Sequence, residues 1–176
     1  MDTDIGRYLF REVREGDADA IFKLAVENEY YSDNLPQDLP YLEADIHRSV
    51  KDILLTRLGS VLKRPCYIFV LEDISTHHVV GTSQIRNVPC RLLYKLRGVV
   101  GELALQKEEN MWELGGLLLS KMVRDKGLGK LLSYGRLLYL TSVKAAAHIL
   151  ISGFETRMPF WDRVTSVIGL SKKRAY

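Results

Sequence analysis

The chain has 176 residues, 47% of them hydrophobic and 27% charged, the balance of one globular domain with a real core and not of a disordered tract. Its net charge is +3, from 25 lysines and arginines against 22 acidic residues, too mild a surplus for a nucleic-acid-binding surface. Met1-Asp2-Thr3-Asp4 lacks the basic-then-apolar pattern of a signal peptide, no apolar run approaches a membrane span, and two cysteines, Cys66 and Cys90, make no disulfide framework. The expectation is a cytoplasmic protein without nucleic-acid or membrane partners.

Tyr8 to Val13 reads as a first strand. Gly16-Asp17 stops it, with Asp17 as N-cap of a helix from Ala18 to Glu29 whose apolar stripe is Ile21, Leu24 and Ala25. Asp33 to Pro40 carries two prolines and reads as a loop. Leu42 to Leu58 is a second helical pattern, with Leu42, Ile46, Val50, Ile53 and Leu54 on one face. Cys66 to Glu72 is a buried strand, and a turn over Asp73 to His78 leads back into Val79 to Arg86 as a hairpin. Arg97 to Gln106 is a further strand candidate, followed by a turn at Lys107 to Asn110. Met111 to Ser120 reads as the central strand. The next helix places Leu128, Leu131, Leu132, Gly135, Leu138 and Ser142 on one face, and Gly135 there permits close packing against the sheet. Ala147 to Phe154 is a fifth strand, and Pro159 to Val167 a short fourth helix. This order implies an α/β or α+β sandwich of helices around a mixed sheet. His47, His77, His78 and His148 show no metal-ligand spacing, so no metal is implied.

The most informative stretch is Val123-Arg124-Asp125-Lys126-Gly127-Leu128-Gly129-Lys130-Leu131-Leu132. A strand, then R-x-x-G-x-G, then a helix is a device for holding a pyrophosphate. Glycines let the backbone turn and approach the ligand, and the first N–H groups of the helix lack intrahelical acceptors. Arg124, Lys126 and Lys130 add positive charge. The plain alternative is a tight connection. A dinucleotide fingerprint would need Gly at Leu132, and a P-loop would need Ser or Thr at Leu131. The pattern that remains resembles the acyl-coenzyme A transferases of the GNAT superfamily, with Arg124, Gly127 and Gly129 in the motif positions.

Four stretches sharpen the resemblance to the arginine N-succinyltransferases, enzymes of bacterial arginine catabolism. They are Phe10 to Ala25, Cys66 to Gly81, Glu113 to Arg136 and Pro159 to Leu170, the last carrying Pro159-Phe160-Trp161. The resemblance implies succinyl-CoA or acetyl-CoA as cosubstrate, with the pyrophosphate on the N–H groups of about Lys126, Gly127, Leu128, Gly129 and Lys130, within a loop that also includes Arg124 and Asp125. It implies that the pantetheine arm pairs with the backbone of Leu117, Leu118 and Leu119. It also implies direct transfer of a succinyl group to the α-amine of arginine, with Glu113 as base. Glu113 has a second reading, a strand-edge residue facing water. The place of the usual GNAT tyrosine acid is taken by Trp161, leaving water, Tyr134 or Tyr139, and both tyrosines also read as helix packing. Asp33, Asp38, Glu43 and Asp45 offer carboxylates for a guanidinium or form a solvated acidic loop. Another GNAT acetyltransferase with a different amine, or a non-catalytic CoA-binding subunit, are the alternatives.

Members of that family continue past the equivalent of Tyr176, and a GNAT domain ordinarily adds two strands after its fourth helix. The expectation is therefore a single GNAT-like domain over residues 1–176, truncated after that helix. Its apolar fifth strand would lie at the sheet edge, completed by a second copy or a separate chain.

Overall fold

A computed structural model describes residues 5–28, 38–88, 111–143 and 148–151. The strand candidate at Arg97 to Gln106, the turn after it, the helix at Pro159 to Val167 and the flanks of the fifth strand lie outside these residues. The elements are β1 (Tyr8–Glu12), α1 (Ala18–Glu27), α2 (Leu39–Arg57), β2 (Cys66–Asp73), β3 (His78–Val88), β4 (Met111–Leu119), α3 (Leu128–Ser142) and β5 (His148–Ile151). One five-stranded sheet takes them in the order β1-β2-β3-β4-β5. The first four strands each pair antiparallel with the next in the chain, and β5 adds parallel to β4. The mixed α/β sheet expected from the element order is thus present. β4 is an interior strand, but β3 is the middle of the five.

Helices cover both faces, because the inner strands are apolar on both. Every residue of β2 is buried. Ile68 and Val70 face α1 and α2 and pack with Ile21, Ala25, Leu42 and Ile46. Tyr67 and Phe69 point the other way and pack under α3 with Ile85, Leu114, Leu137 and Leu140. Burying side chains of this size stabilises a fold by about 1.5–3 kcal/mol each, before conformational entropy is subtracted.

The structure revises several expected boundaries. Asp17 does not cap α1 with its side chain. Its carboxylate instead accepts a fork from Arg11, at 2.8 and 2.9 Å, and the Arg14 N–H at 2.7 Å. Three N–H donors from two arginines outcompete the helix N–H groups for a buried anion. α2 begins at Leu39, so Pro40 belongs to its first turn and not to the loop. On α2 Leu42, Ile46 and Ile53 are buried as expected, while Leu54 is exposed.

The face of α3 is also rotated from the expected one. Leu138 and Ser142 are exposed, whereas Arg136, Leu137 and Leu140 are buried. Leu128, Leu132, Arg136 and Leu140 form one four-residue-spaced row against the sheet. An arginine in that row hid it from a reading that followed only apolar residues. Gly135 does allow close approach: a Cβ there would meet the Phe10 ring at 2.6 Å. No helix among the described residues is long and apolar enough to cross a membrane.

Candidate acyl-transfer site

β4 changes character in its middle. It pairs with β5 from Met111 to Leu114, and directly afterwards Gly115-Gly116 breaks the regular alternation. The register with β3 shifts between Thr82 and Gln84, and Gly116 sits at φ +57°. A Cβ at Gly116 would lie 2.9 Å from Gln84 Cγ, so both the backbone angle and the space demand glycine. Two adjacent glycines inside an apolar strand are the sequence mark of a bulge, a signal that went unused.

Past the bulge, Leu117, Leu118 and Leu119 carry the strand to its end. Leu118 joins the core beneath α1 and α2, and Leu117 and Leu119 join that beneath α3. A short turn at Lys121–Val123 leads into the glycine loop. Asp125 and Gly127 adopt left-handed angles, φ +61° and +77°, and Gly127 is the N-cap of α3. Nothing lies within 4 Å of where a Gly127 Cβ would be, and the residue is exposed, so the loop is open at this point. No side chain caps the helix. The Lys130 N–H donates to Gly127 O at 3.0 Å, a tight first turn. The donors left open at the helix start are therefore those ahead of Lys130, where the helix dipole also favours an anion. Gly129 has ordinary room, 3.7 Å from Leu119 Cδ1. Lys126 and Lys130 are exposed. An open, uncapped, lysine-flanked helix start fits a pyrophosphate.

Arg124 departs from its expected role as loop charge. Its Nε donates to Leu119 O at 3.3 Å and its Nη2 donates to Asn28 Oδ1, so it ties the loop to the end of β4 and to the C-cap of α1. The guanidinium aligns the loop from behind.

Glu113 stands opposite Arg86 in the β3–β4 register, on the sheet face covered by α1 and α2. It is only 7% exposed, which removes the reading of a residue facing bulk water. Arg86 donates to Gln84 Oε1 at 3.2 Å and pairs with Asp45 of α2 at 2.5 Å. Gln84, Arg86, Asp45 and Glu113 therefore form a polar group on one side of the bulge. Arg86 and Gln84 were not singled out from the sequence, since lone polar residues in a strand are ordinary. Asp33 lies outside the described residues. Asp38 precedes α2 as its N-cap, and Glu43 is exposed.

Tyr134 and Tyr139 lie on α3, which packs on the sheet face opposite to Glu113. Tyr139 packs edge-on against Tyr67 and Phe69, beneath α3, and burial pushes its phenol above the usual range. Tyr134 is largely exposed on the same helix, and Trp161 lies outside the described residues. Burial pushes the Cys66 thiol up to about 11, the behaviour of a core residue and not of a nucleophile. Among the described residues no cluster of His, Cys, Asp and Glu could hold a metal ion.

Residues 8–88 match the family described as arginine N-succinyltransferase beta subunit. No match is found among curated proteins. Among solved structures, the arginine/ornithine succinyltransferase subunit AI from Pseudomonas aeruginosa superposes with TM-score 0.59 at 20% identity, over 93% of this chain. The chain spans 57% of that subunit's length. The ribosomal-protein-S5-alanine acetyltransferase from Vibrio fischeri superposes with TM-score 0.57 at 14% identity, over 96% of this chain and 81% of its own. AAC(6')-Iy, solved with the bisubstrate analogue CoA-S-monomethyl-acetylneamine, gives 0.53 at 10% identity, over 96% and 95%. The chain thus has the fold of the GNAT acyltransferases, and its residues 8–88 carry the sequence signature of the arginine N-succinyltransferase beta-subunit family.

Proposed function

We propose that the protein is an acyl-CoA-dependent N-acyltransferase. The observation that carries this is the continuity of one strand: buried Glu113, then the Gly115-Gly116 bulge, then Leu117 to Leu119, then the uncapped helix start at Gly127. That order suits an extended thioester substrate, with an anionic end at the helix and a reactive end at the bulge. In this reading the N–H groups of Lys126, Gly127, Leu128 and Gly129 hold the pyrophosphate, with Lys126 and Lys130 beside it. The backbone of Leu117, Leu118 and Leu119 pairs with the pantetheine arm.

Glu113 takes a proton from the acceptor ammonium. The free amine attacks the thioester carbonyl, the C–N bond forms as the C–S bond breaks, and the proton that the nitrogen sheds passes through water to the departing thiolate. Chemistry of this kind gains mainly from positioning, from the base and from backbone donors at the developing oxyanion.

The finer reading is succinyl transfer to the α-amine of arginine. The family match over residues 8–88 and the similarity to a subunit named for arginine and ornithine succinyl transfer support it. The Asp45–Arg86 pair offers both a carboxylate and a guanidinium beside Glu113, which suits an amino-acid acceptor. Assembly with a second chain, identical or different, belongs to the same reading, since the matching family and the superposed protein are both described as subunits.

Calorimetric titration with coenzyme A, acetyl-CoA and succinyl-CoA tests the reading directly. Binding of all three, tightest for succinyl-CoA, is the expected result, and no binding of any would refute it. Replacing Glu113 by Gln should lower kcat by about 10²–10⁴-fold with coenzyme A affinity retained.

A further inference from the structure

Among the described residues Arg136 is the largest fully buried side chain, 1% exposed at the centre of α3. From the α3 face its Nη1 donates to Gly115 O at 3.1 Å and reaches Gln84 O at 3.4 Å. Its Nε is buried without an acceptor, and no carboxylate among the described residues pairs with it. Burial pulls the guanidinium down to about 10, still well above neutral pH. A buried cation facing only neutral carbonyls costs stability, and so does an unmet N–H. What it obtains is specific: the two acceptors are the carbonyls of Gln84 and Gly115, the register pair that borders the β3–β4 shift. A bulge turns such carbonyls out of the ladder, and a charged donor satisfies them where a neighbouring strand cannot.

We infer that Arg136 is a positioning residue for acyl transfer: it clamps the Gly115-Gly116 bulge from the far face of the sheet and so sets the path of Leu117 to Leu119. Gly116 and Gln84 lock the bulge from the α2 face, where a Cβ at Gly116 would strike Gln84. Arg136 locks it from beneath. With the Gly115 carbonyl held, the N–H groups that follow point in one direction toward the substrate. The inference rests on the acyltransferase reading for its consequence, though not for the clamp itself.

The test compares the wild-type chain with Arg136→Lys and Arg136→Met by residue-resolved amide hydrogen exchange, coenzyme A titration and steady-state transfer kinetics. Amides of Leu117 to Leu119 should exchange about tenfold faster or more in Arg136→Met, as loss of a charged hydrogen bond would give, while those of β2 stay unchanged. The affinity for free coenzyme A should fall, because its pantetheine arm lies on the loosened strand, but by less than kcat, since the helix start that holds the pyrophosphate is untouched; kcat should fall about tenfold or more. Arg136→Lys, which keeps the charge but loses the planar guanidinium, should fall between. Wild-type exchange at Leu117 to Leu119 in a folded variant overturns the clamp, and so does equal loosening of every strand. If Arg136→Met does not fold, the same comparison is decided on Arg136→Lys. Failure of the wild-type chain to bind coenzyme A would overturn the acyltransferase reading alone, and the exchange data would still judge the clamp.

Discussion

The two glycines of the loop look equivalent in the sequence, yet the structure predicts opposite responses to alanine. Gly127 sits at φ +77° and ψ −1°, and a Cβ there meets nothing within 4 Å. The cost of Gly127→Ala is therefore backbone strain alone, about 1–2 kcal/mol for an L-residue in left-handed space. Reduced freedom of the unfolded chain returns about 0.4–1 kcal/mol, leaving a net loss of about 1 kcal/mol. Gly129 is an ordinary helical residue with 3.7 Å to its nearest neighbour. Alanine there should stabilise the free protein, by up to about 1 kcal/mol. Urea denaturation of both variants measures the difference, provided the slope of the transition is unchanged. Coenzyme A titration should show both weakened, Gly127→Ala because the loop relaxes to negative φ, and Gly129→Ala because a methyl group intrudes where the ligand approaches. Gly127→Val, bulkier and β-branched, should abolish binding. Equal destabilisation by the two alanine variants, or a neutral Gly127→Ala, would refute the reasoning.

Gly135→Ala drives a methyl group to 2.6 Å from Phe10, whose ring is already stacked on Phe69 at 5.0 Å. Overpacking of this kind costs about 1–3 kcal/mol, partly offset by helix propensity. In a Phe10→Leu background the same change should become neutral or stabilising, and an identical cost in both backgrounds would sink the packing argument. At the hairpin end Arg11 holds the Glu72 carboxyl below its usual range, and Arg7 holds Asp73 well below. A depressed folded value means the stabilisation is complete above the ordinary carboxylate pKa of about 4 and drains away as pH falls through the lower folded values. Melting temperature should therefore drop steeply on acidification, and Glu72→Gln should flatten that slope. An unchanged slope in the variant would show that Glu72 is not part of the cause.

Strand and helix identities were legible in the chain because local periodicity reports local structure. The all-apolar run Cys66 to Leu71, the hairpin turn before Val79 and the loop at Arg124 to Gly129 each carry their signal within a few residues. Other features depended on partners distant in the sequence. Asp17 had a good capping residue's identity, but Arg11 took its carboxylate. Arg124 had the charge for a phosphate loop, but Asn28 and Leu119 took its donors. Glu113 was readable as an acid at the start of a strand. Its burial and its place beside Arg86 and Asp45 came from the packing of α2 on the sheet.

The order of elements, the glycine loop and the apolar strands follow from residue types at short spacing. Which polar groups are spent on one another depends on contacts that the fold makes between distant stretches of chain. A buried guanidinium is satisfied by whatever acceptors the fold brings near, and for Arg136 those are carbonyls 21 and 52 residues away along the chain.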